Sequence, residues 1–224
     1  MVASYQFHPP FSSMLTFHPR EAAVRYHLGD QHTFEFVEGT LPTEAAPELL
    51  GVVSPSDELF AYAYPDDLST WVAALNNLEA YLAAEGPFDG VLAFSQGASL
   101  AATYIVQKLR QNPVSEQLDP TFKCAIFFSA GPTYDPDLLR KYNIRRLMPS
   151  VDGEIIRIPT AHIWGHGEQD EAPGLAGICD AASKQVYIHE GGHEIPGTRM
   201  DVAVKSVVQI IRRVVSVASH KQSI

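Results

Sequence analysis

The stretch Asp89–Gly90–Val91–Leu92–Ala93–Phe94–Ser95–Gln96–Gly97–Ala98–Ser99–Leu100 decides the fold predicted for this chain. A short apolar run ends at Phe94, and a helical pattern of small residues begins directly after Ser95. This order predicts a buried strand, a tight turn and a helix, with a serine at the turn. The layout is typical of a G-x-S-x-G nucleophile elbow, in which a strained backbone exposes the serine oxygen above a sheet. Ala93 stands where the first glycine is usual. The alternative interpretation is a serine that caps a buried helix.

On both sides of the elbow, strand patterns alternate with helix patterns. The patterns predict further strands at Val2–Phe7, His32–Val37, Phe122–Phe128, Ile158–Trp164 and Lys184–His189, and helices at Thr16–Leu28, Ser69–Ala84, Gln96–Arg110, Asp137–Tyr142 and Asp201–Val217. The last of these segments is rich in valine and isoleucine and also admits a strand, but its length and apolar spacing favour a helix. The alternation predicts an α/β fold with a mostly parallel central sheet of about six strands and helices on both faces.

At 224 residues, the chain is expected to form a single domain spanning residues 1–224. One segment, at about residues 39–66, is long, proline-containing and irregular. An irregular segment of this length in a compact domain is typical of a lid or a binding segment. Its aromatic residues Phe60, Tyr62 and Tyr64 are therefore candidates for substrate binding, with surface packing as the alternative interpretation.

The composition excludes several classes of protein. Lys+Arg 16 against Asp+Glu 26 gives a formal net charge of -10, which argues against nucleic acids and anionic membranes as partners. No apolar run reaches the length that spans a bilayer, and the N-terminus lacks the pattern of a signal peptide. Cys124 and Cys179 form neither a disulfide framework nor a metal-binding spacing, so both are expected to be buried thiols in a cytoplasmic protein. No metal or cofactor is expected, and a dinucleotide-binding domain is not favoured because no G-x-G-x-x-G follows a strand.

Three polar residues of complementary chemistry follow predicted strands. Ser95, Asp170 and His193 are expected at one edge of the sheet, because the carboxyl ends of parallel strands meet there. A serine nucleophile needs a base within hydrogen-bond reach, and that base needs an orienting acid. His193, in a glycine-rich loop, is the predicted base, with His189 as the fallback. Asp170 is the first choice for the acid and Glu168 the alternative. If neither residue is catalytic, the two belong to an acidic turn exposed to solvent.

The oxyanion hole is the part of the predicted site for which the sequence offers few backbone donors. Its first donor is predicted to be the backbone N–H of Gln96, the residue after the nucleophile. The second donor normally lies in the loop after an early strand, where Pro9 and Pro10 lack an N–H group, so Phe11 is the candidate. Loss of one oxyanion donor typically costs about 3–4 kcal/mol of transition-state stabilisation. A catalytically weak or inactive protein with a binding or partner role is therefore the alternative function.

Four stretches together resemble a known family. These are Gly86–Gly97, Phe34–Gly39, Ala161–Gly165 and Ile188–Gly197, and the likeness extends from about Phe17 to Ile211. They resemble the fungal serine hydrolase family typified by the FSH proteins, whose relatives include thioesterases that release polyketides from their synthases. The resemblance implies an α/β-hydrolase fold and a Ser–His–Asp triad.

By motif position, the resemblance maps this triad to Ser95, His193 and Asp170. It implies hydrolysis of a small-molecule carboxylic ester or acyl thioester, and more finely the release of a carrier-bound polyketide acyl chain in fungal secondary metabolism. The chain departs from the family in two places. His8 is followed by Pro9 where the family has His-Gly, and the acid loop after Trp164 carries an extra residue.

Overall fold

The computed structural model describes residues 2–6, 19–44, 58–168 and 172–221. The strands are β1 (Val2–Gln6), β2 (Thr33–Val37), β3 (Leu41–Thr43), β4 (Leu59–Ala61), β5 (Gly90–Phe94), β6 (Cys124–Phe128), β7 (Thr160–Gly165) and β8 (Lys184–His189). The helices are α1 (Pro19–Leu28), α2 (Leu68–Glu85), α3 (Gln96–Gln111), α4 (Pro113–Leu118), α5 (Pro136–Leu139), α6 (Pro149–Asp152), α7 (Ala172–Gly177) and α8 (Asp201–Lys221).

Six of these strands form one sheet in the order β2-β1-β5-β6-β7-β8. The neighbours from β5 to β8 are parallel, whereas β1 is antiparallel to both β2 and β5. Parallel neighbours need crossover connections, and α3 supplies the one that leads from β5 towards β6. The predicted α/β class with a mostly parallel sheet is confirmed.

Apolar residues cover both faces of the sheet, as continuous apolar strands require. On one face Val91 and Phe127 pack with residues of α2 and α3. On the other face Leu92 and Ile126 pack with α1 and α8. Full burial of a side chain such as Phe127, which is 1% exposed, contributes about 1.5–3 kcal/mol. This two-sided burial holds the strand ends, and the residues that follow them, in fixed relative positions.

The C-terminal segment forms the helix α8, which settles the choice between helix and strand at Asp201–Val217. Its valines and isoleucines pack against the sheet at helical spacing. The short helices α4 and α6 were not predicted, and neither was α7. Within the irregular segment 39–66, β3 and β4 pair with each other as a two-stranded antiparallel sheet, and residues 45–57 between them lie outside the described residues. None of the described helices is long and apolar enough to cross a membrane.

The direction of β1 bears on the site. Val2 pairs with Ala93 near the carboxyl end of β5, and Tyr5 pairs with Gly90 at its amino end. The chain therefore leaves β1 at the edge of the sheet opposite Ser95.

Candidate active site

Ser95 occupies the sharp turn between β5 and α3. Its φ of 53° and ψ of -120° lie in a region that non-glycine residues rarely adopt and that costs about 1–3 kcal/mol. Its N–H donates to the carbonyl of Phe128 at 3.0 Å, which ties the turn to the end of β6. Its hydroxyl makes no capping hydrogen bond to α3, so the helix-cap interpretation is wrong. The strained turn instead presents Oγ away from the helix, as in a nucleophile elbow.

His193 lies against this serine. The distance from His193 Nε2 to Ser95 Oγ is 2.8 Å, and the His193 ring packs 5.0 Å from the ring of Phe94. The loop that carries His193 reaches this position by passing very close to the end of β7. A Cβ at Gly165 would stand 2.2 Å from the carbonyl oxygen of Gly191, so this contact requires glycine.

The carboxylate that contacts the histidine is that of Glu168. After β7 ends at Gly165, a single 3-10 turn over His166–Glu168 brings the side chain back towards the sheet edge. Glu168 Oε1 lies 2.5 Å from His193 Nδ1. Its other oxygen, Oε2, accepts hydrogen bonds from the Ser129 hydroxyl at 2.8 Å and from the Gly165 N–H at 2.9 Å. Glu168, the alternative acid of the sequence analysis, thus contacts His193, and Asp170 lies outside the described residues.

His189, the fallback base, has a different environment. Its side chain is buried, and its Nδ1 accepts the N–H of Gly191 at 3.1 Å. Burial lowers the pKa of His189, against opposing contributions from the carboxylates of Glu194 and Glu168. The contact between the Gly191 N–H and His189 Nδ1 stabilises the loop before His193.

The side chain of Gln96 connects the nucleophile turn to the segment after β4. Its Oε1 accepts the N–H groups of Tyr62 at 2.8 Å and Ala63 at 3.3 Å, and its Nε2 donates to the carbonyl of Ala63 at 2.8 Å. The Tyr62 hydroxyl donates to the carbonyl of Val37 at 2.5 Å, which adds a second attachment. The backbone N–H of Gln96 is the first of α3, and the first N–H groups of a helix have no partner within it. Gln96 therefore begins α3 directly after Ser95, and its side chain fixes the backbone of Tyr62 and Ala63.

The two other aromatic candidates lie in this fixed segment. Phe60, in β4, and Tyr64 are both exposed, and the Tyr64 hydroxyl donates to the carbonyl of Pro42 at 2.9 Å. Phe11, the candidate for the second oxyanion donor, lies outside the described residues.

Three groups that hold Glu168 and the backbone of Tyr62 and Ala63 in place were not predicted from the sequence. The supports are the hydroxyl of Ser129, the N–H of Gly165 and the side chain of Gln96. Ser129 did carry a signal, because it follows the buried run of β6 as Ser95 follows that of β5. The parts of the chain that the structure describes hold no cluster of three or more His, Cys, Asp or Glu residues arranged to bind a metal ion.

Known proteins resemble this chain over most of its length. The family described as "Serine hydrolase (FSH1)" matches residues 7–204. The chain is 34% identical over 202 residues to "Esterase FPY3" of Fusarium mangiferae, covering 88% of this chain and 89% of that protein. It is 34% identical over 171 residues to "Hydrolase phiM" of Fungal sp. (strain ATCC 74256), covering 73% of this chain and 71% of that protein.

The family match covers the elbow, the acid turn and the histidine loop, so it includes every contact of the Ser95–His193–Glu168 arrangement. The predicted family resemblance and the predicted hydrolase class are thereby confirmed. The chain belongs to the FSH1 family of serine hydrolases.

Proposed function

We propose that the protein hydrolyses a carboxylic ester or acyl thioester through a covalent acyl-serine intermediate, with Ser95 as nucleophile, His193 as base and Glu168 as acid. The observation that carries this proposal is the unbroken chain of contacts from Ser95 Oγ through the His193 ring to the Glu168 carboxylate. A hydroxyl is a weak nucleophile near neutral pH unless an adjacent base takes its proton. The 2.8 Å contact between Ser95 and His193 is within the range such a transfer needs.

The steps follow from these contacts. Ser95 Oγ attacks the acyl carbon while His193 Nε2 takes the hydroxyl proton, and Glu168 stabilises the imidazolium through Nδ1. The negative charge moves to the former carbonyl oxygen, where the N–H of Gln96 is available as a donor. As the tetrahedral intermediate collapses, the bond to the leaving alcohol or thiol breaks and His193 returns the proton to it. His193 then takes a proton from a water molecule, which attacks the acyl-serine. This step releases the carboxylic acid product and restores the Ser95 hydroxyl.

The aromatic residues after Leu59 support the proposal of an acyl substrate. Phe60 and Tyr64 expose aromatic surface next to the backbone that Gln96 holds beside Ser95. We propose that these two side chains and Tyr62 contact the acyl chain, because aromatic surface is what an apolar chain buries against. Within this class, an acyl thioester on a carrier protein is the finer candidate, and a polyketide acyl chain is the cargo that the family resemblance suggests.

The test begins with Ser95→Ala. We expect the wild-type protein to react with a fluorophosphonate probe and to hydrolyse short p-nitrophenyl esters, and both activities to be lost in Ser95→Ala and strongly reduced in His193→Ala. Equal labelling of the wild type and Ser95→Ala would overturn the assignment of the nucleophile. The rates of hydrolysis of a p-nitrophenyl ester and of an N-acetylcysteamine thioester with the same acyl chain are then measured side by side. The faster of the two reactions distinguishes an esterase from a thioesterase.

A further inference from the structure

Ser129 is a buried polar residue that the catalytic steps above do not use. It follows β6 directly, is 2% exposed, and has a positive φ of 43°. Its N–H donates to the carbonyl of Ile163 at 2.8 Å, which extends the ladder between β6 and β7 by one hydrogen bond. The backbone of Ser129 is therefore fixed by the sheet, and its side chain leaves the sheet from a constrained position.

The hydroxyl of Ser129 donates to Glu168 Oε2 at 2.8 Å, and the N–H of Gly165 donates to the same oxygen at 2.9 Å. Both donors lie on one side of the carboxylate, so Oε1 is left to face His193 Nδ1. We propose that Ser129 is a positioning residue for the acid, holding the Glu168 carboxylate in the one rotation that presents Oε1 to the histidine. This role rests on the proposed function of Ser95, His193 and Glu168.

The length of a glutamate side chain explains why such a support is needed. Glutamate has one more rotatable bond than aspartate, so its carboxylate samples more positions from the same backbone. Glu168 sits on a single 3-10 turn, which constrains its backbone less than a long helix does. Hydrogen bonds to an ionised acceptor are stronger than neutral ones, so two donors on Oε2 select one orientation.

The backbone of Ser129 agrees with this role. A non-glycine residue at positive φ is strained and persists only where the surrounding structure holds it. Ser95 has the same kind of strain at the end of the neighbouring strand β5. The two strained serines at adjacent strand ends thus contact opposite ends of the relay, since Ser95 bonds the histidine and Ser129 bonds the acid.

Ser129→Ala and Ser129→Gly test the role of the hydroxyl. Both remove the donor, but only glycine also relieves the positive φ. Loss of one charge-assisted hydrogen bond to the acid is expected to lower kcat about 10- to 100-fold in both variants, with KM changed less than about threefold. Thr133→Val is the matched control, because it removes another 2%-exposed hydroxyl, whose oxygen has no hydrogen-bond partner among the described residues. Its kcat is expected to stay within about twofold of the wild type.

Two further measurements separate positioning from a general structural effect. First, Ser129→Ala is made in a Glu168→Gln background, where it should lower kcat less than about threefold, because the side chain that Ser129 then holds no longer presents an oxygen to His193 Nδ1. Second, proton NMR of the resting enzyme should show a downfield line for the hydrogen bond between His193 Nδ1 and Glu168. The line is assigned by its loss in His193→Ala, and it should shift or broaden in Ser129→Ala and Ser129→Gly but not in Thr133→Val.

The outcomes are distinct. Equal kcat losses from Ser129→Ala in the wild-type and Glu168→Gln backgrounds, or an unchanged downfield line in both Ser129 variants, would overturn the positioning role while leaving the nucleophile assignment intact. If the wild type shows no Ser95-dependent turnover, the proposed function fails, and the NMR comparison still decides whether Ser129 orients the carboxylate.

Discussion

The substitution Glu168→Gln is the most informative single change in this site, because it replaces one oxygen of the carboxylate with a donor and keeps the shape. In the native protein Oε2 accepts two hydrogen bonds, from Ser129 and from Gly165, while Oε1 faces His193. A glutamine can satisfy both of those donors only if its remaining oxygen stays on their side. Its NH2 group must then point at His193 Nδ1.

A donor opposite Nδ1 favours the tautomer of His193 that carries its proton on Nε2. That nitrogen lies 2.8 Å from Ser95 Oγ and can no longer accept the serine proton. Imposing the wrong tautomer on a catalytic histidine lowers kcat by about 10⁴-fold. At about 1.36 kcal/mol per factor of ten, this corresponds to about 5.5 kcal/mol of lost transition-state stabilisation. Glu168→Asp keeps both oxygens on a side chain one methylene shorter, so it is expected to lose less.

The assay is steady-state hydrolysis of a p-nitrophenyl ester, together with the rate of fluorophosphonate labelling and the urea midpoint of each variant. Glu168→Gln should keep its urea midpoint close to the wild type, because the shape and most hydrogen bonds are retained, while kcat falls. The reciprocal variant is Asp170→Asn, which should lower kcat less than about tenfold. A loss near 10⁴-fold in Asp170→Asn with a nearly active Glu168→Gln would refute the assignment of the acid.

Three more perturbations test other contacts. Gln96→Met removes three hydrogen bonds to the backbone of Tyr62 and Ala63, worth about 0.5–1.5 kcal/mol each, so the amide of Tyr62 should exchange faster with deuterium than in the wild type. Gln96→Glu keeps an acceptor for the Tyr62 N–H but places a carboxylate oxygen opposite the Ala63 carbonyl, so it should also speed this exchange. Exchange at the wild-type rate in both variants would contradict this account. Gly165→Ala places a methyl group 2.2 Å from the Gly191 carbonyl and should displace the His193 loop and reduce kcat, whereas Gly167→Ala, with no atom within 4 Å, should not. Burial lowers the pKa of His162 from 6.5 to about 3, so the unfolded chain binds a proton over that range that the folded protein does not. The free energy of unfolding should therefore fall by about 1 kcal/mol per pH unit as the pH drops from 6 to 4, and His162→Leu should show a shallower slope; parallel slopes would count against this account.

The local sequence was enough to predict the elbow and the helices and strands around it. The apolar run of β5 followed by small residues specifies a strand, a turn and a close helix, and this pattern depends only on neighbours along the chain. The same holds for α8, where apolar spacing and length predicted a helix despite many β-branched residues. The placement of Ser95 and His193 after strands followed from the rule that parallel strands present their carboxyl ends at one edge.

Only the tertiary structure decided which carboxylate contacts His193 and in which direction β1 runs. Glu168 and Asp170 are only two residues apart in the sequence. Which carboxylate contacts His193 depends on the path of the turn after β7 and on the hydroxyl of Ser129, which follows the neighbouring strand β6. The direction of β1 depends on pairing with β2 and β5, which no pattern within β1 encodes.

The role of the Gln96 side chain likewise requires the backbone of a segment 33 residues away in sequence. Sequence alone therefore determined the chemistry available in this protein, namely a strained serine, a loop histidine and an acidic turn. The fold determined which of these groups touch, because contacts between distant segments are set by how the strands and helices pack and not by the residues next to each group.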